Sequence, residues 1–213
     1  MVIEKRSHQT TTQKEIIDMA LDTSKHRNPE IRRWYDQHIN RVARLVNLGT
    51  PVVADPDKIV TIANMKVGAY TIAAQPDVPR NITLTHAAVG AADTLGTVTV
   101  VGTDVNDQPI TEVLTPVSGT LVAGLRAFKT VVSVTGAGWV IGEGNDTILV
   151  GVGTVLGLPF ILNAATDVQL GILGVAPIVP TTVFHATEIS KNTTDISSGT
   201  YNGSKVAFVF VVE

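Results

Sequence analysis

A chain of 213 residues can hold one sizeable domain, or one domain with an appendage. It has no Cys, which excludes disulfides and thiolate metal sites, and no apolar run reaches about 18 residues, so a transmembrane helix is not expected. Charged residues are only 16% and the net charge of −3 is unevenly spread: nine Lys/Arg stand against six Asp/Glu in residues 1–50, and seven against thirteen beyond.

That asymmetry describes a mildly basic arm on an acidic body, which steers the arm toward acidic surfaces. Carboxylates interrupt the basic residues and no Lys/Arg cluster forms, so direct nucleic-acid binding is not expected. The start, MVIEKRSHQTTT, lacks the apolar core of a secretory signal. Residues 1–12 are polar and Thr-rich. Thr12 caps an expected helix over 13–22, with Glu15 in its first turn.

Asn28-Pro29-Glu30 is a stronger helix start, with Asn as cap and Pro at the first helical position. The helix is expected to run to about Val46 and to stop near Gly49. Ile31, Tyr35, Ile39, Val42 and Val46 form one stripe on it, widened by Trp34 and Leu45. Two roles stand open for this stripe: packing on the protein's own sheet, or docking on a neighbouring subunit. The second makes Ile31, Trp34, Tyr35, Ile39, Val42 and Val46 candidate partner-binding residues.

The two-proline stretch TPVVADPD at 50–57 marks a linker, which divides the chain into a helical arm, 1–49, and a β-rich body, 50–213. Strands are expected at 59–63, 68–73, 80–87, 96–102, 110–115, 127–135, 139–142, 147–152, 183–189 and 205–212. Within 97–100, Thr and Val alternate with period two, so the two Val side chains share a face. Asp104–Asp107 breaks the run as a turn. Phe128, Val132 and Val134 fall on one face by the same parity. Residues 156–180 are apolar but broken by Pro and Gly, and read as a long excursion carrying buried side chains. The last strand, 206–212, is apolar on both faces and needs cover on both, as a central strand or at an interface. The fold class is therefore mainly β: an antiparallel β-sandwich or barrel body with an N-terminal α-helical arm.

Little in the chain resembles a catalytic constellation. His8, His26, His38, His86 and His185 show no paired ligand spacing and are expected at the surface or lightly buried. Glu112 interrupts the apolar side of its strand, and a cross-strand pair with Lys or Arg explains it more simply than catalysis. Asp104-Val105-Asn106-Asp107 offers oxygens to calcium but lacks the rest of an EF-hand loop. Gly136-Ala137-Gly138 and Gly142-Glu143-Gly144 lie between strands, where a dinucleotide cradle needs a strand running into a helix. No catalytic residue, metal ligand or cofactor site is expected.

Several segments resemble tailed-bacteriophage virion structural proteins, especially capsid-associated proteins of the decoration or cement kind. They are Pro79-Arg80-Asn81-Ile82-Thr83-Leu84, Gly96-Thr97-Val98-Thr99-Val100, and Gly102-Thr103-Asp104 leading to Pro109-Ile110-Thr111-Glu112. Arg126-Ala127-Phe128-Lys129-Thr130-Val131 and the run from Asp146-Thr147-Ile148 to Gly157-Leu158-Pro159 complete the resemblance, which covers about residues 76–160. It implies a β-rich, non-enzymatic body at the capsid surface of a virion assembled in the host cytoplasm. It further implies contacts with the phage major capsid protein and a homo-oligomer, with a trimer the first guess. No membrane is involved. Two alternatives stay open: another phage structural component (major capsid, tail or head–tail joining protein), or a host-surface or glycan-binding β module.

Overall fold

The computed structural model describes residues 42–89, 94–142, 144–196 and 200–212, within which Ala43–Val211 forms one compact unit. The expected helix at 13–22 and the stripe residues Ile31, Trp34, Tyr35 and Ile39 lie outside the described residues. In chain order the strands are β1 (Val42–Gly49), β2 (Asp55–Asn64), β3 (Gly68–Ala69), β4 (Arg80–Ala87), β5 (Thr97–Thr103), β6 (Pro109–Leu114) and β7 (Leu121–Phe128). They continue with β8 (Thr130–Ala137), β9 (Thr147–Gly157), β10 (Val168–Leu173), β11 (Ala176–Ile178), β12 (Pro180–Val183), β13 (Thr193–Ile196) and β14 (Val206–Val212).

These strands make three sheets whose ladders are antiparallel, and part of the body curls as a half-barrel. One sheet has the order β3-β8-β5-β6. A second runs β12-β13-β9-β4-β7, with β2 also paired to β9, and the third runs β1-β14-β10-β11. The first two face each other across a core that includes Ile82, Leu84, Val98, Val100, Phe128, Val134, Trp139, Ile148 and Val150. A second core lies under the third sheet, with Leu156, Leu158, Tyr201, Val206, Phe208 and Phe210. β9 serves both cores: its first half supplies Ile148, Val150 and Val152 to one, and its end supplies Leu156 to the other.

The local reasons are plain in several elements. Val98 and Val100 are fully buried while the threonines beside them stay half-exposed, as their alternation requires. Asp104 closes the β5–β6 turn, its Oδ1 accepting the N–H groups of Asn106 (2.8 Å) and Gln108 (3.0 Å). Asp107 takes the left-handed conformation at φ 63°, which a short polar side chain tolerates.

Several expectations are corrected, and no strand stands at 139–142 or 184–189, where two were expected. Val42–Gly49 is a strand where a helix was expected to reach Val46, and it lies beside β14 at an edge of the third sheet. Val46 and Leu48 pack on the second core with period two, and that burial outweighs the helical spacing of Val42 and Val46. β7 extends over residues 121–126, between the strands expected at 110–115 and 127–135. In β8, one extra residue near Val132 shifts the register against β5, so Val131 and Val134 are buried and Val132 is exposed. Finally, residues 156–180 carry buried side chains as expected but are irregular only in part, with no strand over 158–167. The remaining residues end β9 and form the β10–β11 hairpin, which pairs with β14 edge to edge. β14 is thus a central strand, with β1 and β10 on its two sides.

Candidate functional site

The most irregular part of the body is the pair of bulges around Asn81. On one side of β4, three residues of β9 (Gly153, Thr154, Val155) stand against Asn81 alone, between the pairs Arg80–Leu156 and Ile82–Val152. On the other side, three residues of β7 (Gly124, Leu125, Arg126) stand against Ile82, between Asn81–Ala127 and Thr83–Ala123. Bulges leave ladder groups without their usual partners, and one buried and one half-buried side chain supply them here. The Asn81 amide donates to Gly124 O (3.3 Å) and accepts from Val155 N–H (3.1 Å). The Glu112 carboxylate, reaching across from β6, accepts from Leu125 N–H (2.6 Å) and Arg126 N–H (3.4 Å).

Glu112 therefore caps a bulge with backbone contacts, where a cross-strand Lys or Arg pair was expected. Burial raises its carboxyl pKa, only partly offset by the two N–H groups and the nearby Arg126. Gly124 is part of the device: a Cβ there would stand 2.5 Å from Glu112 Oε2.

The displaced strands leave two surface hollows that share Val155. One, about 310 Å³, is lined by Ala54, Pro56, Thr83, Leu121, Ala123 and neighbouring residues. The Thr83 hydroxyl at its floor is buried and has no hydrogen-bond partner. The other, about 290 Å³, is lined by Gly124, Leu125, Val155, Val183, His185, Lys191 and Thr193. Beside it the 185–192 segment is clamped to β7. Arg126 donates to Ser190 Oγ (2.8 Å) and pairs with Glu188, and Lys191 Nζ lies 3.0 Å from Glu188 Oε1. Lys191, burial and Arg126 act on Glu188 in that order of size, and the cations hold its carboxyl below the ordinary range. Asn192, wholly buried, ties the segment down by donating to His185 O (2.7 Å) and Glu188 O (3.0 Å) and accepting from His185 N–H (3.2 Å).

His185 Nδ1 accepts from the N–H groups of Glu188 (3.0 Å) and Thr187 (3.4 Å). The Ser190 hydroxyl is held by Arg126 and not by an imidazole.

The other singled-out residues are dispersed. His86, expected near the surface, is fully buried and bonded through Nε2 to Asp146 (2.8 Å). His8, His26 and His38 lie outside the described residues. Among the described residues no three of His, Asp and Glu stand together as a metal-holding group. Val46 lies on β1 against the second core, and Trp139 packs in the first. Sequence reasoning missed Asn81, Arg126 and the 185–192 segment as a site. The one available signal was Asn81 inside an otherwise apolar and β-branched strand. No family model, curated protein or solved structure matches this chain.

Proposed function

We propose that the chain is a non-enzymatic virion structural protein of the capsid decoration or cement kind, which binds the assembled head through major capsid protein and stabilises it. The single observation that carries an assembly role is the apolar character of the body's surface. Leu125 is 73% exposed and Val175 99%, and Val113, Leu121, Val179, Val183 and Phe184 are exposed as well. Leu121, Leu125 and Val183 flank the two hollows at Val155, and Val113 follows the residue that caps the β7 bulge. Clustered exposed apolar side chains favour burial against a partner. The virion setting is supported by the resemblance of residues 76–160. Binding only to the assembled shell would stabilise it by mass action, and many symmetric copies would add avidity to modest contacts.

The test is co-sedimentation of the purified protein with assembled phage heads, followed by cryo-EM of the decorated particles. Density for the body at capsomer junctions, and weaker binding of Leu125→Asp, are the expected results. Density confined to the tail or the head–tail joint would move the protein to the alternative structural role. Absence from particles together with glycan-array hits would move it to the glycan-binding alternative. Trp139, the one Trp of the body, is buried and offers no sugar platform.

A further inference from the structure

We propose that the hollow between β7 and the 183–193 segment is a binding site for a small aliphatic carboxylate. This inference is independent of the assembly role, because it concerns a free ligand and the isolated protein.

Two features of the hollow point to that ligand class. Its walls are apolar where Leu125, Val155 and Val183 line it, and its volume of about 290 Å³ suits a short hydrocarbon body. Its charged and imidazole lining groups, Lys191 and His185, both present N–H donors. Lys191 Nζ makes one contact with Glu188 Oε1, at 3.0 Å, and an ammonium has three N–H groups to give. His185 accepts backbone N–H groups at Nδ1, which places its proton on Nε2. That Nε2–H lies 3.7 Å from Glu188 Oε1, beyond hydrogen-bond distance.

Glu188 already shows what the cluster prefers. Arg126, Lys191 and His185 converge on this one carboxylate. The other nearby acid, Glu112, also feels Arg126 and Lys191, but its oxygens are taken up by the β7 bulge. A ligand carboxylate at the mouth would take up the spare N–H groups of Lys191 and His185. A cationic head would be repelled by Lys191, and a neutral head would gain one ordinary hydrogen bond instead of charge-assisted ones.

The experiment titrates the full-length isotope-labelled protein with sodium hexanoate, following backbone amide shifts. Hexanol, hexylamine and acetate serve as probes of the tail alone, the reversed charge and the head alone. Saturable shifts at Leu125, Val183 and Thr193 are expected with hexanoate, with hexanol and acetate each about tenfold weaker and hexylamine without effect. Lys191→Ala is expected to weaken hexanoate about fivefold while leaving the rest of the spectrum in place. Equal binding of hexanol and hexanoate would overturn the carboxylate assignment, equal binding of acetate would overturn the role of the apolar walls, and no saturable shift with hexanoate would remove the site. The probe comparison uses the unmodified protein, so it decides the matter even if the variant fails to fold.

Discussion

Arg80 exposes no side-chain surface, so its charge must be answered from within the chain. Nε donates to Gly153 O (2.7 Å), Nη1 donates to Val52 O (3.1 Å) and to Asp77 (3.0 Å), and the guanidinium lies 5.8 Å from the Tyr201 ring centre. Burial raises the Tyr201 phenol, helped by the Asp195 carboxylate. Asp77 in turn accepts Val52 N–H at 2.8 Å. Burial alone would raise the Asp77 carboxyl, but Val52 N–H and Arg80 outweigh it and hold the group below its ordinary 3.8. Asp77→Ala would strand a buried guanidinium, and a loss of about 3–5 kcal/mol in urea unfolding is expected. The pH dependence follows with a definite sign. A depressed carboxyl contributes stability above pH 3.8 that is lost as pH falls through its folded value, so Asp77→Asn should flatten the acid limb of Tm against pH. Glu112 acts oppositely. Its carboxyl is raised above 4.5, so stability falls as pH rises from there through the folded value, and Glu112→Gln should remove that fall. An unchanged pH profile in both variants would contradict the assignment.

At the scale of elements, the bulged region of β4, β7 and β9 depends on the Asn81 amide using both its donor and its acceptor. Asn81→Ala leaves Gly124 O and Val155 N–H without those partners, at about 1–3 kcal/mol for each group. Asn81→Asp keeps an acceptor for Val155 but has no N–H for Gly124, so its stability should fall between wild type and the Ala variant. Urea denaturation ranks the three, and amide exchange at Val155 should accelerate in the Ala variant. An Asp variant less stable than Ala would show that the site rejects charge more than it needs the acceptor. β14 makes a different point about elements. The β10–β11 hairpin and β1 flank it and place it inside a sheet, while Phe208 and Phe210 on one face fill the second core.

For the body as a whole, β9 is the shared structure. It pairs with β4, β2 and β13 and contributes side chains to both cores, while Arg80 joins its Gly153 to the 52–77 region. Two cores sharing one strand and one buried charge network should unfold together. In a Trp34→Phe background, Trp139 fluorescence reports the first core, and the aromatic NMR signals of Phe208 and Phe210 report the second. Their urea midpoints are expected to coincide, and to shift together in Val150→Ala and in Leu156→Ala. Separate midpoints would show that each core folds on its own.

Much of the β content was legible along the chain because its causes are local. The Thr/Val alternation of β5, the Asp104 turn, the bounds of β4 and the two-sided apolar run of β14 all follow from neighbours a few residues apart. Residues 42–48 were ambiguous, since Val42 and Val46 satisfy a helical spacing as well as the period of a strand, and burial on the second core decided between them. β7 looked like loop because Gly124 breaks its pattern, yet that glycine is what lets Glu112 reach the bulge. The parity of β8 likewise failed at a bulge set by its partner strand. Composition and spacing alone determined a mainly β chain. The tertiary structure decided where Asn81, Arg80, Glu112 and the 185–192 segment meet, because polar groups left over in one strand are satisfied by side chains 13 to 74 residues away, and such pairings leave no periodic trace in the sequence.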